Sequence, residues 1–122
     1  MAAKHLHTGR LGEEIACEYL QKKGYQIIHK GWRYKHLEVD VIIHDGPVLV
    51  FVEVKTRSKN IYGMPYEAVD WKKQRKLDRA ANIYISKTKH EGDIRFDIIS
   101  IVINKEKKPD LLHIKDAFWP ES

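Results

Sequence analysis

One stretch constrains this chain more than any other: Leu49-Val-Phe-Val-Glu-Val-Lys-Thr-Arg57. β-Branched and aromatic side chains fill it, and apolar residues stand at consecutive positions, as in a strand buried on both faces. Two charges break the run. Glu53 and Lys55 are two residues apart, so they share one face, with Val52 and Val54 on the other. A carboxylate and an ammonium at the end of an otherwise apolar strand need a reason to be there.

Upstream, Leu37-Glu-Val-Asp-Val-Ile-Ile43 forms a second strand with the same anomaly. Strict alternation puts Glu38, Asp40 and Ile42 on one face and Val39, Val41 and Ile43 on the other. Between the two runs, His44-Asp-Gly-Pro47 carries an Asp-Gly turn signal, so the strands are expected to pair as an antiparallel hairpin. That pairing brings Asp40 and Glu53 together on one edge of the sheet. Two carboxylates and a lysine in a small volume suit a hard divalent cation and a phosphate, since Mg²⁺ takes carboxylate, water and phosphate oxygens in octahedral array. The metal would polarise the phosphoryl group and acidify a bound water, and the lysine would orient that water or steady the developing charge. The same residues also admit a plain cross-strand ion pair on a half-exposed sheet, worth little.

Asp40 followed by Glu53-Val-Lys55 on a hairpin resembles the catalytic pattern of restriction-endonuclease-like nucleases, Asp followed by Asp/Glu-x-Lys. The resemblance is closer still to the small bacterial YraN family, itself similar to archaeal Holliday-junction resolvases. The segments that carry it are Arg10-Leu-Gly-Glu13, Trp32-Arg33, Glu38-Val-Asp40, Val50 to Arg57 and Lys73-Gln-Arg75, spread from about Thr8 to about Ile103. Leu37 stands where that family usually has a glycine, and Gly31 where an asparagine usually precedes Trp-Arg. The resemblance implies Mg²⁺ or Mn²⁺ held by Asp40 and Glu53, with Glu13 as a third carboxylate, direct or through water. Lys55 would orient the attacking water, and Glu38 would assist from behind Asp40. It also implies substrate contacts from Arg10, Arg57, Lys73 and Gln74.

The remaining sequence frames these residues. A length of 122 residues leads us to expect a single domain, 1–122, with one core. A charged fraction of 32% and a formal charge of +5 favour a polyanionic partner without requiring one. The lone Cys17 excludes a disulfide framework and a thiolate metal site. No apolar run reaches the length of a membrane span and the first residues lack a signal-peptide core, so a cytoplasmic protein is expected.

Thr8 can cap a first helix running to about Lys23 and stopped by Gly24, with Leu11, Ile15, Ala16, Tyr19 and Leu20 on its apolar face. Gly12 permits a close approach to the sheet. Glu13 falls on the border of that face, where it can look into the site, and Glu14 nearly opposite. Tyr25 to Lys30 is the first strand, and Gly31 to His36 a linker in which Trp32 packs inward and Arg33 reaches substrate. The loop from Ser58 to Pro65 lies beside the proposed site, with Lys59 available to a phosphate. A second helix is expected from about Tyr66 to Ser86, lined by Val69, Leu77, Ala80, Ala81 and Tyr84, with Lys73 in that apolar line. Asp93 to Ile103 is a further strand, parallel to its neighbour because a helix precedes it, and Leu111 to Phe118 a short edge strand.

This order implies an α/β/α sandwich around a mixed β-sheet flanked by two main helices, as in the restriction-endonuclease-like fold. The expected function is metal-dependent hydrolysis of DNA, branched or duplex, with RNA still open as substrate, no membrane partner, and room for a homodimer. Two other readings stay open: a nucleic-acid-binding module that keeps the fold without cutting, and a protein-interaction domain whose charges only pair.

Overall fold

The computed structural model describes residues 2–58, 69–104 and 106–119. Its elements run α1 (Ala2–Lys22), β1 (Gln26–Tyr34), β2 (Leu37–Asp45), β3 (Val48–Ser58), α2 (Trp71–Thr88), β4 (Ile94–Ile103) and β5 (Asp110–Ile114). The strands form one sheet in the order β1-β2-β3-β4-β5. The β3–β4 pair is parallel and the other three are antiparallel, so the sheet is mixed. The expected run Leu49–Arg57 lies in its central strand.

Each face of the sheet carries one helix. Under α2, Leu77, Ala80, Ala81 and Tyr84 pack on Leu37, Val39, Ile42, Leu49, Phe51, Phe96 and Ile98. Under α1, Ala16, Cys17 and Leu20 pack on Val41, Ile43, Val50, Val52, Val54, Ile99 and Ile101. Burying each large side chain contributes roughly 1.5–3 kcal/mol, so these two layers dominate the stability. The alanines at the helix contacts let both helices sit low on the sheet. This is the restriction-endonuclease-like α/β sandwich that the sequence implied.

The two-residue connection at Gly46-Pro47 closes the β2–β3 hairpin, with Asp45 opposite Val48 and Gly46 at φ 59°. Gly24, at φ 91°, ends α1 as expected, and the amide of Tyr25 returns to the carbonyl of Leu20.

Four boundaries differ from the sequence reading. The first helix begins at Ala2 rather than at a Thr8 cap, because the preceding residues contain good helix formers and no breaker. The segment 31–34 is not a linker but the second half of β1, since β2 supplies its ladder: Trp32 faces Val39, Arg33 faces Glu38 and Tyr34 faces Leu37. The second helix starts at Trp71, where the Asp70 side chain caps it by accepting the Lys73 amide at 2.9 Å. The edge strand stops at Ile114. The expected loop at 58–65 and helix start at 66–68 fall, after Ser58, outside the described residues.

A fifth difference shapes the site. Val39 and Ile42 both lie under α2, whereas Val41 and Ile43 lie under α1, so the alternation of β2 shifts at Asp40 and Ile42 does not share its face. Pairing between β2 and β3 stops at Val41 opposite Val52. Beyond it, the Asp40 carboxylate itself accepts the Val54 amide at 2.8 Å. No helix among the described residues is long and apolar enough to cross a membrane.

Candidate metal centre

Where β2 and β3 part, Asp40 becomes the middle of a row of carboxylates drawn from three elements, with a lysine from a fourth. On the α2 side is Glu53, only 4% exposed in the central strand. Lys73, from the first turn of α2, brings its ammonium to 3.7 Å from Glu53 Oε2, and Lys55 lies two residues along β3. That is an ion pair too long for a hydrogen bond, and Glu53 Oε2 is buried with no hydrogen-bond partner among the described residues. Burial, then the charge of Asp40, pushes the Glu53 carboxyl up from 4.5 to about 8, against the opposing pull of Lys73 and Lys55.

On the α1 side is Glu13. Its helix sits close to the sheet because Gly12 lies directly against Thr56 of β3, where any Cβ would collide with the threonine Oγ1 and come within 2.9 Å of its Cβ. One carboxylate oxygen each from Glu13, Glu38 and Asp40 lie within 4.8 Å of one another. Burial, then Asp40 and Glu38, raises the Glu13 carboxyl from 4.5 to about 7, with Arg10 opposing. Glu38 is also held by Arg33 Nη2 at 3.0 Å. Glu53 stands outside the compact trio and is tied to it through Asp40.

This arrangement is electrostatically incomplete. Carboxylates this close cannot all ionise without a positive partner, and a proton or a cation must supply it. The donor set is all oxygen and mostly anionic, which matches a hard divalent ion and not a thiophilic or imidazole-seeking one. The buried, unbonded Glu53 oxygen points to the same need. Beside the trio a cavity of about 250 Å³, whose lining includes Arg10, Lys30 and the carboxylates of Glu13, Glu14, Glu18 and Asp40, leaves room for solvent or a cation.

The other sequence candidates divide. Lys73, in the sheet-facing line of α2 with Leu77, meets the site at Glu53. Arg10 is exposed on the cavity wall. Arg33 is engaged with Glu38. Arg57 is half-buried near the end of β3, opposite Val102. The Gln74 side chain donates to the carbonyl of Val69 at 3.1 Å and so fastens the entry to α2. Lys59 lies outside the described residues. Trp32 packs inward, edge-on to Tyr84.

A second charged cluster escaped the sequence reading. Fully buried Asp97 takes two bonds from the Arg95 guanidinium, one at 2.7 Å from His113 Nε2 and one from the Asp116 amide. Arg95 also reaches Asp45, and Tyr19 of α1 meets His113 Nδ1 at 3.0 Å. The signal was present: Arg95-x-Asp97 sets two charges on one face of an apolar strand, the same anomaly as Glu53-x-Lys55. Here every charge has a partner, and the cluster ties β2, β4, β5 and α1 together.

Fold and site together define an α/β-sandwich protein with a carboxylate cluster able to hold a metal ion. The chain belongs to the family described as Uncharacterised protein family UPF0102, which matches residues 12–101 and is the YraN family of the sequence resemblance. It is similar to the UPF0102 protein of Alkaliphilus metalliredigens, 48% identical over 90% of this chain and 96% of that protein. The UPF0102 proteins of Chlorobium chlorochromatii (44%, over 93% and 92%) and Bacteroides thetaiotaomicron (42%, over 97% of each) are similar along the same length. The matched residues include Glu13, Glu38, Asp40, Glu53, Lys55 and Lys73.

Proposed function

We propose that this protein is a metal-dependent endonuclease that hydrolyses DNA phosphodiester bonds. The observation that carries this reading is Asp40, shared between Glu13 on one side of the sheet and Glu53 on the other, with two lysines facing the buried carboxylate. Asp40, Glu53 and Glu13 would hold Mg²⁺ or Mn²⁺, with Glu38 contributing when its Arg33 partner turns to substrate. Such an ion supplies Lewis acidity toward a phosphoryl oxygen and acidifies water.

The chain's own residues do the rest. Lys55 orients the attacking water, and Lys73 steadies the extra negative charge that builds on the phosphoryl oxygens as the bond is cut. The Asp40–Val54 bond fixes the middle carboxylate, so little reorganisation is needed when substrate arrives. Along the outer side of α2, the exposed Lys72, Arg75, Lys76 and Arg79 give backbone phosphates a track leading to the site.

The test is cleavage of labelled junction, flap, duplex and single-stranded DNA, and of RNA, with Mg²⁺, Mn²⁺ or EDTA, by wild type and Asp40→Asn. Asparagine keeps an oxygen for the Val54 amide, so the fold survives while the charge is lost. Wild type is expected to cut DNA only with metal, and Asp40→Asn to be slower by about 10²-fold or more. Equal cutting by the variant contradicts the proposal. Binding without cutting in every lane favours the non-catalytic module.

A further inference from the structure

Trp71 is the first residue of α2 and 63% exposed, more than any other large apolar side chain among the described residues. Trp119, the next most exposed, is at least held edge-on to Phe96. Among the described residues, only cations attend the ring of Trp71: Lys72 Nζ at 5.8 Å and Arg75 Cζ at 5.7 Å from its centroid. No acidic residue stands in the first turn of the helix. The Asp70 cap already secures the helix start, and the core packing of α2 begins at Leu77, so neither requires a tryptophan here.

Its position relative to the site gives it a use. Trp71 and Lys73 are about 200° apart around the helix, so Lys73 faces Glu53 while Trp71 faces solvent with Arg75. The two side chains are separated by roughly the 10 Å width of a helix, a span of a few nucleotides at about 3.4 Å each along a duplex strand. We infer that Trp71 is a stacking platform for an unpaired nucleobase of a nucleic-acid strand whose backbone enters the carboxylate site. A base laid on the indole displaces Lys72 and Arg75 from the ring toward the phosphates of the same strand, where their charge is better used. A duplex keeps its bases stacked on one another and has none to offer. The platform therefore selects DNA with a flap, gap or junction over continuous duplex. This inference rests on the nuclease reading for the path of the strand and adds the feature of substrate that is recognised.

The experiment measures binding of a blunt duplex, the same duplex with a single-stranded flap, and the free single strand, in Ca²⁺ to suppress cutting. Wild type, Trp71→Ala and Trp71→Phe are compared, with Mn²⁺-dependent cutting by wild type measured in parallel. Trp71→Ala is expected to weaken flap and single-strand binding by about tenfold, Trp71→Phe by no more than about threefold, and neither to change duplex binding beyond about twofold. Equal losses on all three DNAs, or no loss on any, overturn the platform, even if wild type cuts DNA normally. Selective loss in Trp71→Ala alongside a wild type that never cuts upholds the platform and rejects the nuclease. Absence of DNA binding by wild type overturns both.

Discussion

Glu53 shows what the site costs the fold. Below its unfolded value of 4.5 the carboxyl is neutral in both states, and its burial is tolerated. As pH rises from 4.5 to about 8, the unfolded chain gives up the proton while the folded chain keeps it, so stability falls across that window. Thermal melts in EDTA should therefore show wild type losing stability over this range, with Glu53→Gln losing less. Added Mn²⁺ should offset the loss in wild type only. Parallel pH curves for the two proteins would mean that Glu53 is not the strained group. The residue was legible in the sequence because a charge on an apolar strand is rare. Its partner Asp40 was legible for the same reason, and so was Lys73, a lysine in an apolar helical line. The in-plane posture of Asp40 was not. It depends on a side chain taking the amide of Val54, fourteen residues away, and no alternation pattern reports such a bond.

At the scale of elements, the site depends on how low α1 lies. Gly12 is the contact that sets this height, and Glu13, the next residue, is carried into the cluster by it. Replacing Gly12 with alanine should cost about 1–3 kcal/mol in urea unfolding, because Thr56 or the whole helix must move. Adding Thr56→Ala should recover part of that loss by removing the hydroxyl, though the two Cβ atoms would still crowd at 2.9 Å. A Gly12→Ala protein as stable as wild type would show that the helix seats itself by other contacts. Helix faces, the hairpin turn and the parallel crossover were readable from periodicity and turn chemistry. Strand β1 stops at Lys30 in that reading because the aromatic and basic residues from Gly31 to His36 suggest a linker, whereas the strand runs on through Gly31, at φ 62°. Its ladder to β2 overrides the local preference, as tertiary pairing often does.

Taken whole, the molecule gathers four carboxylates at one place where the sheet opens between its two helices. Glu13, Glu38, Asp40 and Glu53 converge from α1, β2 and β3, Lys73 closes the cluster from α2, and the other cations of α2 stand exposed on its outer side. The family match covers all four of these elements apart from the start of α1, which fits a site assembled by the fold rather than borne on one loop. The central claim is that the carboxylates converging on Asp40 take up a divalent cation, and calorimetric titration of Mn²⁺ at pH 7 tests it most directly. Because Glu13 and Glu53 are raised to about 7 and about 8, binding should expel protons, read as a heat that varies with the ionisation enthalpy of the buffer. The account expects saturable binding with proton release in wild type, and loss of both in folded Asp40→Asn. Equal binding by the variant, or none by folded wild type, would contradict it.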